Sequence, residues 1–258
     1  MFPTSSTVPY ERRPSITYAL MLVCVATFLY QISLSGPQLT EFLMRHALVP
    51  ARYTSGQVPG IADASHWDLS PFLTSMFLHG GLLHLLSNMW VLWVFGPAIE
   101  DRLGPGRFLA LYVAAGLAGG LVHMLFNLFS PIPALGASGA IAGVIAAFTR
   151  RFPWGWVNVL QPILFLPLFF TIPALAFAAI WFLGQILGGT MALFGPEGGG
   201  VAWGAHIGGF IAGWLLVRRV GAEETPAADQ RAQLESAFWP WRTWWRWQSR
   251  WLGWWFRR

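Results

Sequence analysis

Six apolar stretches constrain this 258-residue chain more than any other feature: residues 16–32, 77–99, 108–128, 136–149, 171–194 and 201–217. The hydrocarbon of a bilayer is about 30 Å thick, and an α-helix crosses it in about 20 residues. Charged residues make up only 10% of the chain and mean hydropathy is +0.51, whereas soluble domains carry about a quarter charged residues. A soluble enzyme, a fibrous protein and a disordered chain are thereby excluded. The pattern predicts an all-α, polytopic membrane protein with six transmembrane helices. Residues 157–170 are also apolar but contain Pro162 and Pro167, which predicts a loop lying along the interface. Arg12 and Arg13 precede the first stretch as they would in a signal peptide. No small-residue cleavage site follows, so the stretch is expected to be a retained anchor. The lone cysteine, Cys24, cannot form an internal disulfide.

All 16 basic residues are arginine, and their placement predicts topology. Arg12, Arg13, Arg102, Arg107, Arg150, Arg151, Arg218 and Arg219 fall on one side of the six spans. Only Arg45 and Arg52 fall on the other. The positive-inside bias puts both termini in the cytoplasm. Charge placed this way suits lipid headgroups, so no nucleic-acid partner is expected. Spans two, four and six then run from outside to inside.

That direction brings the polar residues together. His79, His84 and Asn88 lie near the outer end of span two, Ser138 opens span four, and His206 opens span six. Polar side chains are costly in a membrane and mark functional sites by default. Ser138, Ala142 and Ala146 share one helical face, as do His206, Gly209 and Gly213. Gly209–Gly213 is a GxxxG, which lets two helices approach closely. Packing of these two faces would bring serine and histidine within hydrogen-bond reach. Span four is short, so its outer end should lie below the membrane surface, in a water-filled cavity. A serine hydroxyl becomes nucleophilic when a histidine takes its proton and later returns it to the leaving amine. No acidic residue lies well inside a span, which predicts a Ser–His dyad. His84 and Asn88, four apart on one face, and the backbone N–H of Ser138 are the expected oxyanion donors.

The stretches that carry this chemistry are His79-Gly-Gly-Leu-Leu-His84-Leu-Leu-Ser-Asn88, Gly136-Ala-Ser138-Gly-Ala-Ile-Ala-Gly143 and Ala205-His206-Ile-Gly-Gly209-Phe-Ile-Ala-Gly213. With Ala98-Ile-Glu100-Asp-Arg102-Leu-Gly104, their order and spacing resemble the rhomboid intramembrane serine proteases over roughly residues 16–219. The resemblance implies a six-helix rhomboid-like bundle that cleaves transmembrane substrates near the outer face. It also implies Ser138 as nucleophile, His206 as base, and His84 with Asn88 at the oxyanion. Gly136, Gly139, Gly209 and Gly213 would serve close helix packing around the site. Two positions depart from patterns seen in some members. Ala142 stands where an aromatic residue stacks on the catalytic histidine, and His66-Trp67-Asp68 lacks the arginine of a Trp-Arg pair.

The remaining features have plainer readings. His79 and His84 are five apart with no cysteine or acidic ligand nearby, so no metal is expected, and no cofactor is implied. His123 and Asn127 read as interhelical packing, His46 and His66 as loop residues, and Glu100 with Arg102 as fixing a cytoplasmic loop. No His-Glu-x-x-His and no aspartate pair occurs, which excludes zinc and aspartyl protease mechanisms. The rival to the protease reading is an inactive membrane scaffold or a transporter. Residues 1–15 are expected to be a cytoplasmic N-terminus, 16–220 the catalytic membrane domain and 221–237 a polar linker. Residues 238–258 hold eight tryptophans and five arginines and are expected to form an amphipathic helix on the cytoplasmic leaflet. The expected partners are transmembrane substrates and the bilayer, in a bacterial inner membrane. The sequence leaves the oligomeric state open.

Overall fold

A computed structural model describes residues 1–56, 58–62, 65–163, 166–192 and 202–220. The linker and the Trp/Arg-rich segment at 221–258 lie outside the described residues. Nine helices are described: α1 (Ser15–Ser33), α2 (Gly36–His46), α3 (Ala51–Thr54), α4 (Ser70–Thr74), α5 (Leu82–Leu103), α6 (Pro105–Phe126), α7 (Ser138–Arg151), α8 (Ala174–Ala192) and α9 (Trp203–Val220). Each of the six apolar stretches contributes one long helix. The second begins at Leu82 rather than at 77, because residues 75–77 form a 3-10 turn and Gly80-Gly81 interrupt the chain. Among the described residues, four helices are long and apolar enough to cross a membrane: α1, α5, α6 and the Ala174–Met191 part of α8. Helix α7 has 14 residues, and α9 has 18 with His206, Arg218 and Arg219 among them.

The expectation of an all-α chain is corrected by a three-stranded antiparallel sheet of β1 (Phe2–Ser6), β2 (Trp156–Ile163) and β3 (Leu166–Pro173), in the order β1-β2-β3. Residues 157–163 and 166–170, expected as part of a loop, are therefore strands. Val157 and Val159 are fully buried while Asn158 and Leu160 are half-exposed, the period-two alternation of a strand with one covered face. Pro162 and Pro167 pair with each other near the hairpin end. β1 reaches only as far as Leu160, so Pro162 lies where β2 has no neighbour on that side, a position that tolerates a missing N–H. On the uncovered face, Asn158 donates to Ser5 Oγ at 2.8 Å and accepts from Thr171 Oγ1 at 2.6 Å. The Pro3 carbonyl accepts from Trp90 Nε1 at 2.6 Å, which ties the sheet to α5.

Contacts fix the helix directions. Helices α5, α7 and α9 run parallel: Phe95 packs on Phe148 at 5.0 Å, the Arg102 guanidinium lies 5.7 Å from the Phe152 ring, and Arg150 Nη1 donates to the Trp214 carbonyl at 2.7 Å. Helices α6 and α8 run the other way against α9. The inner faces form one apolar core that includes Phe95, Phe108, Tyr112, Phe148 and Phe177. Leu22, Leu29, Leu183 and Leu187 point outward and are exposed. An apolar exterior of this kind suits lipid rather than water.

Two polar devices hold the elements that flank the core. Helix α1 has no side-chain cap and no acid in its first turn. Glu100 of α5 supplies both from outside: it accepts from the Ile16 and Thr17 N–H groups, each at 2.8 Å, and from Thr17 Oγ1 at 2.8 Å. A carboxylate there satisfies orphan donors and faces the positive end of the helix. In the segment between α1 and α5, Arg52 is buried. It donates to the Met44 and Arg45 carbonyls at the end of α2 and contacts Asp68 at 3.3 Å. Arg52 and Asp68 thus anchor a loop whose sequence lacks the Trp-Arg pair. The Ser70 side chain, hydrogen-bonded to Asp68, helps hold the Asp68 carboxyl below its usual range.

Glu100→Ala is expected to lower unfolding stability by about 2–4 kcal/mol, the sum of a lost cap and lost charge-assisted hydrogen bonds. Thermal unfolding in detergent checks it. Glu100→Gln should fall between the two, and an unchanged Tm in Glu100→Ala would contradict the capping role.

Candidate active site

Ser138 begins α7 directly after a tight turn. Gly136 has φ +127°, a conformation that side chains rarely adopt, and its N–H bonds the Ser75 carbonyl at 2.9 Å. The preceding segment is tied to the loop after α1 by the Leu48–Ala134 bridge and by a 3.0 Å bond from Ala51 N to Ser130 O. The serine is therefore held from both sides.

Helices α7 and α9 meet backbone to backbone. A Cβ on Gly209 would collide with the Gly139 carbonyl, and one on Gly213 with Gly143. A Cβ on Gly143 would stand 3.0 Å from the Gly209 carbonyl, and one on Gly139 would stand 3.2 Å from the Ala205 carbonyl. This approach leaves His206 Nε2 2.7 Å from Ser138 Oγ. The other ring nitrogen, Nδ1, is 2.6 Å from Gln185 Oε1 of α8. Trp181 of α8 lies 5.8 Å from the imidazole, and Trp203 lies 6.2 Å away, edge-on. Ala142 itself is fully buried.

His84 and Asn88 reach the same turn from α5. The His84 ring carbon Cε1 and Nε2 stand 2.8 and 2.9 Å from where a Cβ on Gly136 would be, and Asn88 Nδ2 stands 3.7 Å from it. His84 Nδ1 accepts from the Gly80 N–H at 3.4 Å, an arrangement that leaves the proton on Nε2, toward the turn. Asn88 is buried and its Nδ2 has no acceptor among the described residues. A buried amide without a partner is costly and is retained where something else binds it. A small cavity of about 30 Å³ opens beside Ser138, lined by Ser75, Met76, His123, Gly136 and Ala205 among others. That is room for about two waters.

His79 stands apart from the serine. Its backbone exchanges hydrogen bonds with the Gln31 side chain at 3.0 and 3.1 Å, and its ring lies 5.2 Å from His84. His123 lines the cavity, while Asn127 Nδ2 donates to the His123 carbonyl at 2.8 Å. Among the described residues no cluster suits a metal ion. Sequence reasoning missed Gln185 and Trp181. The available signal was an amide in an otherwise apolar helix, since intramembrane polar groups mark sites by default.

Ser138 and His206 thus meet where two small-residue helices cross. Residues 66–222 match the Rhomboid domain family model, and the chain belongs to the rhomboid family. It is a multi-pass integral membrane protein. It is 34% identical over 144 residues to Rhomboid protease GluP of Bacillus subtilis, covering 56% of this chain and 26% of that one. It is 28% identical over 220 residues to Rhomboid protein 1, mitochondrial, of Saccharomyces cerevisiae, covering 80% and 54%. It is 39% identical over 102 residues to the human Presenilin-associated rhomboid-like protein, mitochondrial, covering 39% and 26%. The matches thus span about a quarter to a half of those relatives' lengths.

The glycine contact yields a stability test. Gly209→Ala is expected to cost about 1–3 kcal/mol or more by overpacking. Gly184→Ala, with nothing within 4 Å of the added carbon, should leave Tm unchanged or raise it. Equal Tm values for Gly209→Ala and the unsubstituted protein would contradict the close approach.

Proposed function

We propose that this chain is an intramembrane serine endopeptidase. It hydrolyses peptide bonds in or next to transmembrane segments with Ser138 as nucleophile and His206 as general base. The observation that carries this reading is the 2.7 Å contact between Ser138 Oγ and His206 Nε2 at the glycine-lined crossing of α7 and α9. Ser138 Oγ attacks the scissile carbonyl carbon as its proton passes to Nε2. The carbonyl oxygen becomes an oxyanion that accepts from Asn88 Nδ2, His84 Nε2 and the Ser138 N–H. Collapse breaks the C–N bond, and His206 hands its proton to the leaving amine. A water then attacks the acyl-serine, losing its proton to His206, and Ser138 is regenerated. The Asn88 amide, which finds no acceptor among the described residues, supports its place in this scheme.

The same reading counts all six long helices as spans. The arginine pairs at the Arg150 end put that end, and both termini, in the cytoplasm. At 14 residues, α7 is about 21 Å long. Ser138 at its far end then lies below the opposite surface, where water must enter from the outer side. Substrates would be membrane proteins whose spans carry Gly, Ala or Ser near that face, because a regular helix hides its carbonyls in hydrogen bonds.

A fluorophosphonate probe is expected to label the unsubstituted protein and not Ser138→Ala. Label at the same level in Ser138→Ala would overturn the nucleophile. With a single-span reporter, Asn88→Ala is expected to lower kcat about 10²–10³-fold with KM little changed. An unaltered kcat would remove Asn88 from the oxyanion site.

A further inference from the structure

We infer that Gln185 of α8 is the positioning residue that sets the tautomer and orientation of His206, making the site a Ser138–His206–Gln185 relay with a neutral third member. The inference rests on the dyad proposed above. Gln185 lies in an apolar helix whose neighbouring residues are Gly184 and Ile186, where an amide is retained only if its groups find partners. Both do. Its Nε2 donates to the Trp181 carbonyl one turn earlier, at 3.1 Å. That bond fixes which way the amide faces and leaves Oε1 toward the imidazole, 2.6 Å from Nδ1.

The consequence follows from the inventory of donors and acceptors. A carbonyl oxygen can only accept, so the hydrogen in this bond belongs to His206 Nδ1. A neutral imidazole carries one N–H, so Nε2 is bare and directs its lone pair at Ser138 Oγ, 2.7 Å away. This is the tautomer a general base needs. The opposite one would present an N–H to the serine and could take no proton. After Nε2 accepts the serine proton, Nδ1–H still donates to the same oxygen, so the ring does not reorient between the two proton transfers. The Trp181 ring, 5.8 Å from the imidazole and tilted 38°, walls the ring from the same helix. Gln185 and Trp181 together hold His206 from α8, where Ala142 of α7 offers no aromatic face.

A plain interhelical tie between α8 and α9 would show the same distances, so the test must read the tautomer. The full chain is prepared with 15N-labelled histidine, and the His206 signals are assigned by their loss in His206→Ala. In the unsubstituted protein Nδ1 is expected at a protonated shift and Nε2 at a bare one. Gln185→Leu is expected to populate the reverse tautomer and to lower kcat on a single-span reporter about 10–100-fold with KM within about twofold, the range for a lost supporting partner. Gln185→Glu, which keeps an acceptor, is expected to restore most of kcat and the Nδ1–H signal. If Gln185→Leu does not fold, Gln185→Asn, one methylene short of the ring, is expected to show the same split. Unchanged kcat and an unchanged 15N pattern in the folded variant would overturn the inference, as would a loss that Gln185→Glu does not rescue. Turnover that persists in Ser138→Ala would instead indict the dyad itself, which separates the two failures.

Discussion

The crossing of α7 and α9 sets everything else in the molecule. Gly139, Gly143, Gly209 and Gly213 leave no side chain between the two backbones. In lipid, where tails are as apolar as leucine, such contacts and interhelical hydrogen bonds are what draw helices together. The crossing fixes register as well as distance, because each glycine faces a specific carbonyl or Cα on the other helix. Ser138 and His206 sit at one end of that register and Arg150, bonded to the Trp214 carbonyl, toward the other. The 2.7 Å contact at one end is thus held by packing along the whole interface.

Around this pair, the other elements supply what the crossing cannot. Helix α5 brings His84 and Asn88 to the Gly136 turn, and its far end caps α1 through Glu100. Helix α6 packs closely on α9, where Cβ atoms at Gly204 and Gly208 would crowd His123 and Val122. Helix α8 touches α9 over a smaller area yet delivers Gln185 and Trp181 to the imidazole. The sheet packs Val157 and Val159 into the same apolar cluster as Phe95 and Phe177, and pins the first strand to Trp90.

Much of this was legible in the sequence because lipid imposes a simple rule. Apolar runs near 20 residues become helices, and the six long helices fall on the six apolar stretches. The 206–213 face announced its packing through spacing, but on α7 the close contacts fall on Gly139 and Gly143 rather than on the Ser138, Ala142 and Ala146 face that spacing suggested. The paired strands at 156–163 and 166–173 were not legible, because Pro162 and Pro167 argue against a central strand when register is unknown. Only the pairing shows that they face each other beyond the reach of β1. The start of α5 slipped by five residues because apolarity continues through Phe77 and Leu78 while the glycines that follow break the helix. Gln185 escaped because a single amide carries no motif. An amide in an apolar helix marks a position, but its partner depends on α8 folding back antiparallel beside His206, which spacing along the chain does not give. The anchoring of the first loop by Arg52 and Asp68 escaped for the same reason, since the two residues are 16 apart.

The central claim is that the glycine crossing places a reactive serine, its base and its oxyanion donors around one point. It is tested most directly by a high-resolution structure of the protein after reaction with a small fluorophosphonate. The account predicts phosphorus bonded to Ser138 Oγ, one phosphoryl oxygen within about 3 Å of Asn88 Nδ2 and His84 Nε2, and α7 still touching α9 at Gly139 and Gly209. A phosphoryl group on another residue, or an adduct whose oxygen points away from α5, would contradict it.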